Sequence, residues 1–246
     1  MLLKKINIIG EIGSNWNGDI KLAKKLIRLA KNADCDFIKF QFWKSDELFE
    51  KSDPNWKYMK KSEFSFKTAK ILKTFSDKIG IECIWSVFYP ESVTMLEKLN
   101  VKCYKIASWT AAMKHPSALD TLNEVAKTKK PVIVSMGFGG NIEKIRKIFK
   151  NNPLFFLYCI PDYPTNIQKI DYNKMIKMDG FSDHTEGSLA PIIYGIKSKN
   201  ITKIKFLEKH ISLPESRGPD KPFAMDMSNF TTLINDLRKV HSLKTI

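Results

Sequence analysis

The sequence predicts a single α/β domain, a closed (β/α)8 barrel of the TIM type, and three observations lead there. Short apolar runs alternate with amphipathic stretches eight times along the chain. Strict alternation of strand and helix implies parallel pairing with right-handed crossovers. A length of 246 residues matches the ~250 that eight such units occupy, which favours closure over an open, doubly wound sheet. An open sheet would also call for a dinucleotide fingerprint. The Gly-Phe-Gly-Gly run at 137–140 lacks its full spacing, and no acidic residue sits where a ribose would need one.

The elements follow in order. Residues 6–12 are the first apolar run, which carries Glu11, and Gly13 and the turn Ser14-Asn15-Trp16-Asn17-Gly18 come after it. Asp19 caps a helix in which Leu22, Leu26, Ile27, Leu29 and Ala30 recur at helical spacing. Residues 37–42 form the second strand and place Lys39 and Gln41 on one face, because alternate residues point the same way. A longer connection, 43–62, has Asp53-Pro54-Asn55 as its turn signal and leads into a helix over 62–79. Then come a strand at 81–87, a helix at 90–99 opened by proline, a strand at 101–107 and a helix at 115–126. The pattern continues with a strand at 131–135, a helix at 141–149, a strand at 154–159 and a short helix at 172–178. A short strand at 180–182, a helix at 189–197 and the eighth strand at 203–208 complete the repeat, and a helix at 228–241 closes the chain.

Composition narrows the class. Hydrophobic residues at 43% and charged residues at 27% describe an ordinary globular protein. No apolar run reaches the ~18 residues of a membrane span. The start, Met-Leu-Leu-Lys-Lys-Ile-Asn-Ile-Ile-Gly, lacks the apolar core and cleavage site of a signal peptide, so a cytoplasmic location without membrane partners is expected. Cys35, Cys83, Cys103 and Cys159 show neither metal nor redox spacing and read as reduced thiols. The net charge of +15 comes largely from lysines at helix-surface spacing, such as Lys21, Lys24, Lys25 and Lys31, or Lys144, Lys147 and Lys150. There is no arginine tract and no nucleic-acid motif, so nucleic acid is not an expected partner.

Candidate chemistry centres on residues 180–220. His184 follows Gly-Phe-Ser-Asp, and His210 follows Phe-Leu-Glu-Lys, 26 residues further on. That spacing fits a strand, a helix and the next strand, which puts both imidazoles at the carboxyl ends of adjacent strands, where barrels build active sites. Two neutral imidazoles there can converge on one divalent metal ion, with Asp183, Glu208 and Asp220 close in sequence. The plainer alternative is that each His hydrogen-bonds a strand-end backbone group. Other strand ends bring Glu11, Lys39, Gln41, Ser86, Lys105, Ser108, Ser135, Tyr163 and Ser182 to the same mouth. A lysine within an apolar strand is costly unless neutralised, so Lys39 and Lys105 need an anion. It is either a carboxylate such as Glu11 or a bound phosphate or carboxylate ligand, gripped with help from serine hydroxyls. Lysines, serines and a metal pair in one mouth suit a phosphorylated, carboxylated substrate meeting a carbonyl held by a Lewis acid.

Eight segments, in order, resemble the sialic acid (N-acetylneuraminate) synthase family. They are Glu-Ile-Gly-Ser-Asn-Trp-Asn-Gly from Glu11, Lys39-Phe-Gln41, Tyr104-Lys-Ile-Ala-Ser108, Lys130-Pro-Val-Ile-Val-Ser135, Tyr163-Pro-Thr165, Phe181-Ser-Asp-His-Thr185, Glu208-Lys-His210 and Gly218-Pro-Asp220. The resemblance implies a transferase of carbohydrate biosynthesis that condenses phosphoenolpyruvate with an N-acetylated amino sugar aldehyde to give a nonulosonic acid and phosphate. It implies that His184 and His210 hold a divalent metal, Mn2+ in most such enzymes, with Mg2+ or Co2+ as alternatives. Lys39, Lys105, Ser86, Ser108, Ser135 and Ser182 would grip phosphoenolpyruvate, Glu11 would accept a proton or orient water, and Gln41, Tyr163 and Asp220 would contact the sugar.

The sequence also departs from the family's pattern. Trp16 stands where His is usual, Ser86-Val87 replaces Thr-Pro, and Pro161 replaces a side chain able to hydrogen-bond phosphate. The connection 43–62 is short, and no residue in it reads as the N-acetyl contact. Family members commonly form homodimers and continue into an antifreeze-like domain that reaches across the dimer. The chain ends at Ile246, so the expectation is a barrel alone, served by a separate cap protein, using an acceptor that needs no cap, or impaired in activity. Two other readings compete. A barrel metal hydrolase would use the histidine pair but gives Lys39 and Lys105 no shared purpose, and a non-enzymatic basic binding protein would use only the lysine-rich faces.

Overall fold

The computed structural model describes residues 6–199, 201, 203 and 205–243. The opening residues 1–5, and Ile204 within the expected eighth strand, lie outside the described residues. Strands and helices follow in the order β1 (Asn7–Glu11), α1 (Ile20–Asn32), β2 (Phe37–Phe42), α2 (Ser45–Leu48), α3 (Trp56–Lys61), α4 (Phe66–Ile79), β3 (Glu82–Val87), α5 (Pro90–Glu97), β4 (Tyr104–Ile106) and α6 (Ser108–Ala111). The second half runs α7 (Ala118–Lys127), β5 (Val132–Ser135), α8 (Ile142–Ile148), β6 (Leu154–Cys159), α9 (Tyr172–Lys177), β7 (Gly180–Asp183), α10 (Leu189–Ser198), β8 (Phe206–Ser212), β9 (Met225–Asp226) and α11 (Met227–Ser242).

Strands β1 to β8 pair in sequence order, all parallel, and β8 returns to β1 with Ile9 opposite Glu208 and Glu11 opposite His210. The sheet therefore closes, as alternation and length predict. Period-two geometry then sorts each strand into an inward and an outward face. At the lower end of the barrel the inward residues Ile9, Ile84, Ile133, Leu157 and Phe206 form an apolar plug. Above it the inward residues turn polar: Lys39 and Gln41, Ser86, Lys105, Ser135, Ser182, Glu208 and His210. A larger apolar layer, including Leu26, Leu72, Leu96, Leu122 and Phe230, fills the space between strands and outer helices.

Local chemistry sets the element ends. Asp19 caps α1 by accepting from the amides of Lys21 (2.7 Å) and Leu22 (3.4 Å). Ser65 accepts from the Thr68 amide, which starts α4 at Phe66, four residues later than periodicity alone suggests. Strand β8 runs on to Ser212 because Ile211 and Ser212 pair with the unforeseen β9, so His210 lies within the strand instead of after it. The connection 43–62 holds α2 and α3, and the Trp43 indole N–H donates to the Met59 carbonyl at 3.1 Å to fasten them. Trp16, the residue at odds with the family pattern, is buried against Phe64, rings stacked at 4.6 Å, and belongs to the core.

Just outside the mouth, Lys209 donates to the Asp183 carboxylate at 2.7 Å, and neither side chain is exposed. Asp183 also accepts from the Thr185 amide at 2.9 Å. This pair ties β7 to β8 on the outward face, directly behind the inward Ser182, Glu208 and His210.

The top of the barrel relies on close backbone approach. Gly18 has φ +70°, and a Cβ there would lie 2.1 Å from the Lys61 carbonyl oxygen at the end of α3. Gly80 has a similar φ of +74°, but its Cβ would meet nothing nearer than the Lys31 ammonium at 3.8 Å. Gly80→Ala should therefore cost only the left-handed backbone, ~1 kcal/mol, whereas Gly18→Ala adds a backbone collision and should cost ~3 kcal/mol. Urea unfolding midpoints of the two variants check the difference; equal losses would contradict it.

Candidate active site

The polar ends of the inward faces open into a cavity of about 350 Å³. Lys39, Gln41, Ser86, Lys105, Ser108, Ser135, Tyr163, Ser182, His184, His210 and Asp220 all line it. These residues come from all but one of the eight strands or from the loops after them, so the barrel gathers what the chain scatters. Glu11, level with Lys39 and His210 in the sheet, is fully buried: it ion-pairs with Lys39 at 2.8 Å and accepts a hydrogen bond from the Gln41 amide.

Lys39 sits between Glu11 and Glu208, 3.7 Å from the latter, and donates to the Ser86 hydroxyl at 3.0 Å. Lys105 donates to the Ser135 hydroxyl at 2.7 Å, and its nearest carboxylate oxygen, on Glu208, is 3.9 Å away. Ser182 donates to Glu208 at 2.8 Å. Ser108 accepts from the Gly137 amide at 3.0 Å and holds the loop after β5 against the site. Carboxylates thus neutralise Lys39, one of the two expected answers, whereas Lys105 has the Ser135 hydroxyl, the Ile106 carbonyl at 3.2 Å and only the more distant Glu208.

Protonation follows from this arrangement. Burial works against the Lys39 ammonium, but Glu11 and Glu208 outweigh it and hold its pKa above the ordinary value. For Lys105 burial wins over the more distant Glu208, and its pKa is lowered. Burial also opposes the charge on Glu208, yet Lys105 and Lys39 hold it down at about 2. Burial raises Glu11 to about 7 against the pull of Lys39, which places it in the range of a general base at neutral pH.

His184 and His210 face each other with ring centroids 5.6 Å apart. Burial, with His210 adjacent, lowers His184 to about 4, and burial with Lys39 nearby lowers His210 to about 3, so both rings are neutral at pH 7. The Ile160 carbonyl lies 3.0 Å from His184 Nδ1 and accepts its proton, which leaves Nε2 with a free lone pair. His210 Nδ1 is buried without a hydrogen-bond partner. Two neutral imidazoles with uncommitted nitrogens fit a divalent transition metal. Among the described residues no group of three or more His, Cys, Asp or Glu converges in metal-binding geometry. Tyr163, 49% exposed, leans over His184 at 4.4 Å between centroids. Asp220 accepts from the Ser14 amide (2.6 Å) and hydroxyl (2.7 Å), and so joins the loop after β8 to the loop after β1.

Sequence reasoning left Glu208 beside the histidines without a role, and the structure makes it the shared counter-ion of two lysines. The signal was present, since Glu208 lies two residues before His210 and must share its face. Cys159 also lines the cavity, with burial raising its thiol to about 11. The aromatic residues Trp43, Phe49, Phe88 and Trp109 line it as well. They lay in segments read as connections, where no periodicity points inward.

Fold and site together present a parallel α/β barrel whose strand ends carry two buried lysines and their carboxylates beside two neutral imidazoles. The chain belongs to the NeuB family, whose model matches residues 26–245, and with it to the acid synthase type of transferase. It is 33% identical over 267 residues to the pseudaminic acid synthase of Campylobacter jejuni, covering 97% of this chain and 75% of that one. It is 29% identical over 270 residues to an N,N'-diacetyllegionaminic acid synthase of the same organism, covering 97% and 77%. Its fold matches the crystal structure of an N-acetylneuraminic acid synthetase from Leptospira borgpetersenii, in complex with citrate, with a TM-score of 0.85 at 26% identity over 97% of this chain and 85% of that one. No helix among the described residues is long and apolar enough to cross a membrane.

The unequal setting of the two lysines predicts unequal losses. Lys39→Met takes a cation from two buried carboxylates, Glu11 and Glu208, and should cost ~3–5 kcal/mol, whereas Lys105→Met takes one from Glu208 alone while relieving its own burial and should cost less, ~1–2 kcal/mol. Chemical denaturation of the ligand-free variants measures this, and an equal loss in both would contradict the charge assignment.

Proposed function

We propose that the protein condenses phosphoenolpyruvate with an amino sugar aldehyde to give a nonulosonic acid and inorganic phosphate. The observation that carries this reading is the pair of buried lysines sharing one ionised carboxylate, Glu208, beside two neutral imidazoles in a NeuB-family barrel. The names of the relatives support it, since each makes an acid of the sialic type.

In this reading Lys105 and Lys39, with Ser86, Ser108, Ser135 and Ser182, hold the phosphate and carboxylate of phosphoenolpyruvate. The charge shortfall at Lys105 is what the substrate's anion offsets. His184 and His210 would hold a divalent metal, Mn2+, Mg2+ or Co2+, which when bound acts as a Lewis acid on the acceptor's carbonyl oxygen. Gln41 and Asp220 orient the sugar hydroxyls, and Tyr163 covers the mouth. The methylene carbon of phosphoenolpyruvate attacks the aldehyde carbon, forming the carbon–carbon bond as the C=O π pair moves to the aldehyde oxygen, which takes a proton and becomes a hydroxyl, and leaving C2 electron-poor. Water adds to C2 and gives up a proton, and Glu11, one contact behind Lys39 and Gln41, is the base poised to store it. The tetrahedral carbon then expels phosphate by breaking its C–O bond, and the C2 hydroxyl loses its proton to become the carbonyl of the product.

A metal hydrolase is disfavoured because it gives the buried lysines Lys39 and Lys105 no shared purpose. Purified protein supplied with Mn2+, phosphoenolpyruvate and a panel of amino sugars should release phosphate with at least one sugar. Chelator should abolish the release, and His184→Ala should lower it at least ~100-fold with the fold intact by circular dichroism. Chelator-insensitive release, or full activity in His184→Ala, would remove the metal assignment. Hydrolysis of phosphoenolpyruvate without sugar consumption would remove the condensation.

A further inference from the structure

His184 and His210 come from neighbouring strands, and the outward face behind them carries a group tied to both. Asp183 precedes His184, Lys209 precedes His210, and residues 183 and 209 are paired in register on the side away from the cavity. The Lys209 ammonium donates to the Asp183 carboxylate at 2.7 Å and also to the Thr185 carbonyl. It therefore holds the chain on both sides of His184, while its own backbone continues into His210. Asp183 in turn accepts from the Thr185 amide at 2.9 Å and the Thr185 hydroxyl at 3.2 Å, which closes residues 183–185 into a turn around His184. The His184 carbonyl accepts from the Thr165 amide at 2.9 Å. Both charged side chains of the tie are completely buried.

Such a pair adds little net stability, because the desolvation of two charges offsets most of their attraction and well-packed apolar residues could join β7 to β8 as firmly. Apolar contacts lack direction, however, whereas an ammonium held by a carboxylate and a carbonyl oxygen fixes distance and angle together. The two imidazoles stand 5.6 Å apart between centroids, a separation that a slip of either strand end would change. We infer that Lys209 and Asp183 are positioning residues that set the spacing of His184 and His210 for one shared divalent cation. The inference rests on the metal reading of the histidine pair. Neither side chain lines the cavity, so both act through the imidazoles they adjoin. Partners that orient metal-binding histidines from behind are worth ~10–100-fold in metal affinity.

The test titrates the full chain with Mn2+ at neutral pH, without substrate, and counts unbound ion by electron paramagnetic resonance. Lys209→Met combined with Asp183→Asn removes both charges at once. No buried ion is left unpaired, the net charge near the site is unchanged, and an amide oxygen still accepts from Thr185. This double variant should bind Mn2+ at least ~10-fold more weakly than the wild type, with its circular dichroism unchanged. Asp183→Asn alone is the milder change; it should lose at least ~3-fold, and it decides the matter should the double variant fail to fold. Arg238→Met is the control, because Arg238 joins Asp34, Asp36 and the Ile6 carbonyl at the opposite end of the barrel. Its Mn2+ affinity should stay within ~2-fold of the wild type. Wild-type affinity in the position 183 and 209 variants, even with lower stability in urea, would make the pair structural only and overturn the inference. An equal loss in Arg238→Met would do the same. Absence of any Mn2+ binding that His184→Ala abolishes would remove the metal reading and the inference with it, whereas histidine-dependent binding indifferent to positions 183 and 209 would remove the inference alone.

Discussion

The arrangement of the mouth depends on one electrostatic constraint: two ammonium groups are buried at the strand ends and share the Glu208 carboxylate between them. Neither lysine could stay charged there unaided, because the desolvation of an isolated ammonium far exceeds what a few hydroxyls return. Glu11 completes the neutralisation of Lys39 from the neighbouring strand, and Lys105 is left with a serine hydroxyl, the Ile106 carbonyl and a more distant carboxylate. The site is therefore built with an unmet demand for negative charge at the strand ends that line the cavity.

The barrel makes this possible by stacking unlike layers in one interior. An apolar plug of Ile9, Ile84, Ile133, Leu157 and Phe206 supplies the rigid floor. The polar residues above it gain position from strand register, which sets Glu11 opposite Lys39, Ser86 opposite Lys105 and Ser182 opposite Glu208. Outside the same strands, the Lys209–Asp183 pair fixes β7 against β8 next to the residues that carry the two histidines. The position of His210 thus follows from sheet hydrogen bonding and a buried ion pair, whereas His184, one residue past β7, is also held by the Ile160 carbonyl from the loop after β6.

Much of this was legible in the sequence, and the reasons are physical. Strands 37–42 and 154–159 were read to the residue, because apolar runs bounded by turn and capping signals are local features. Inward placement of Lys39 with Gln41, and of Ser182 with His184, follows from the two-residue period alone. The end of β8 was not legible, since its extension to Ser212 depends on pairing with β9, a contact formed only in the folded chain. The role of Glu208 and the aromatic lining were hidden for a similar reason. A carboxylate that bridges lysines from β2 and β4 is a property of the closed barrel, and Trp43 or Phe88 in a connection looks like any apolar residue until the loops converge. Family resemblance supplied the reaction, which no count of charges could have named.

The most direct test is the affinity of phosphoenolpyruvate for the ligand-free protein and for Lys105→Met, measured by calorimetry at one ionic strength. If the unmet charge at Lys105 is what the substrate answers, the wild type binds and the variant, still folded, loses at least ~10-fold in affinity, about 1.4 kcal/mol. Equal binding by the two proteins would contradict the account, because the lysine would then be a structural passenger and the anion site would lie elsewhere.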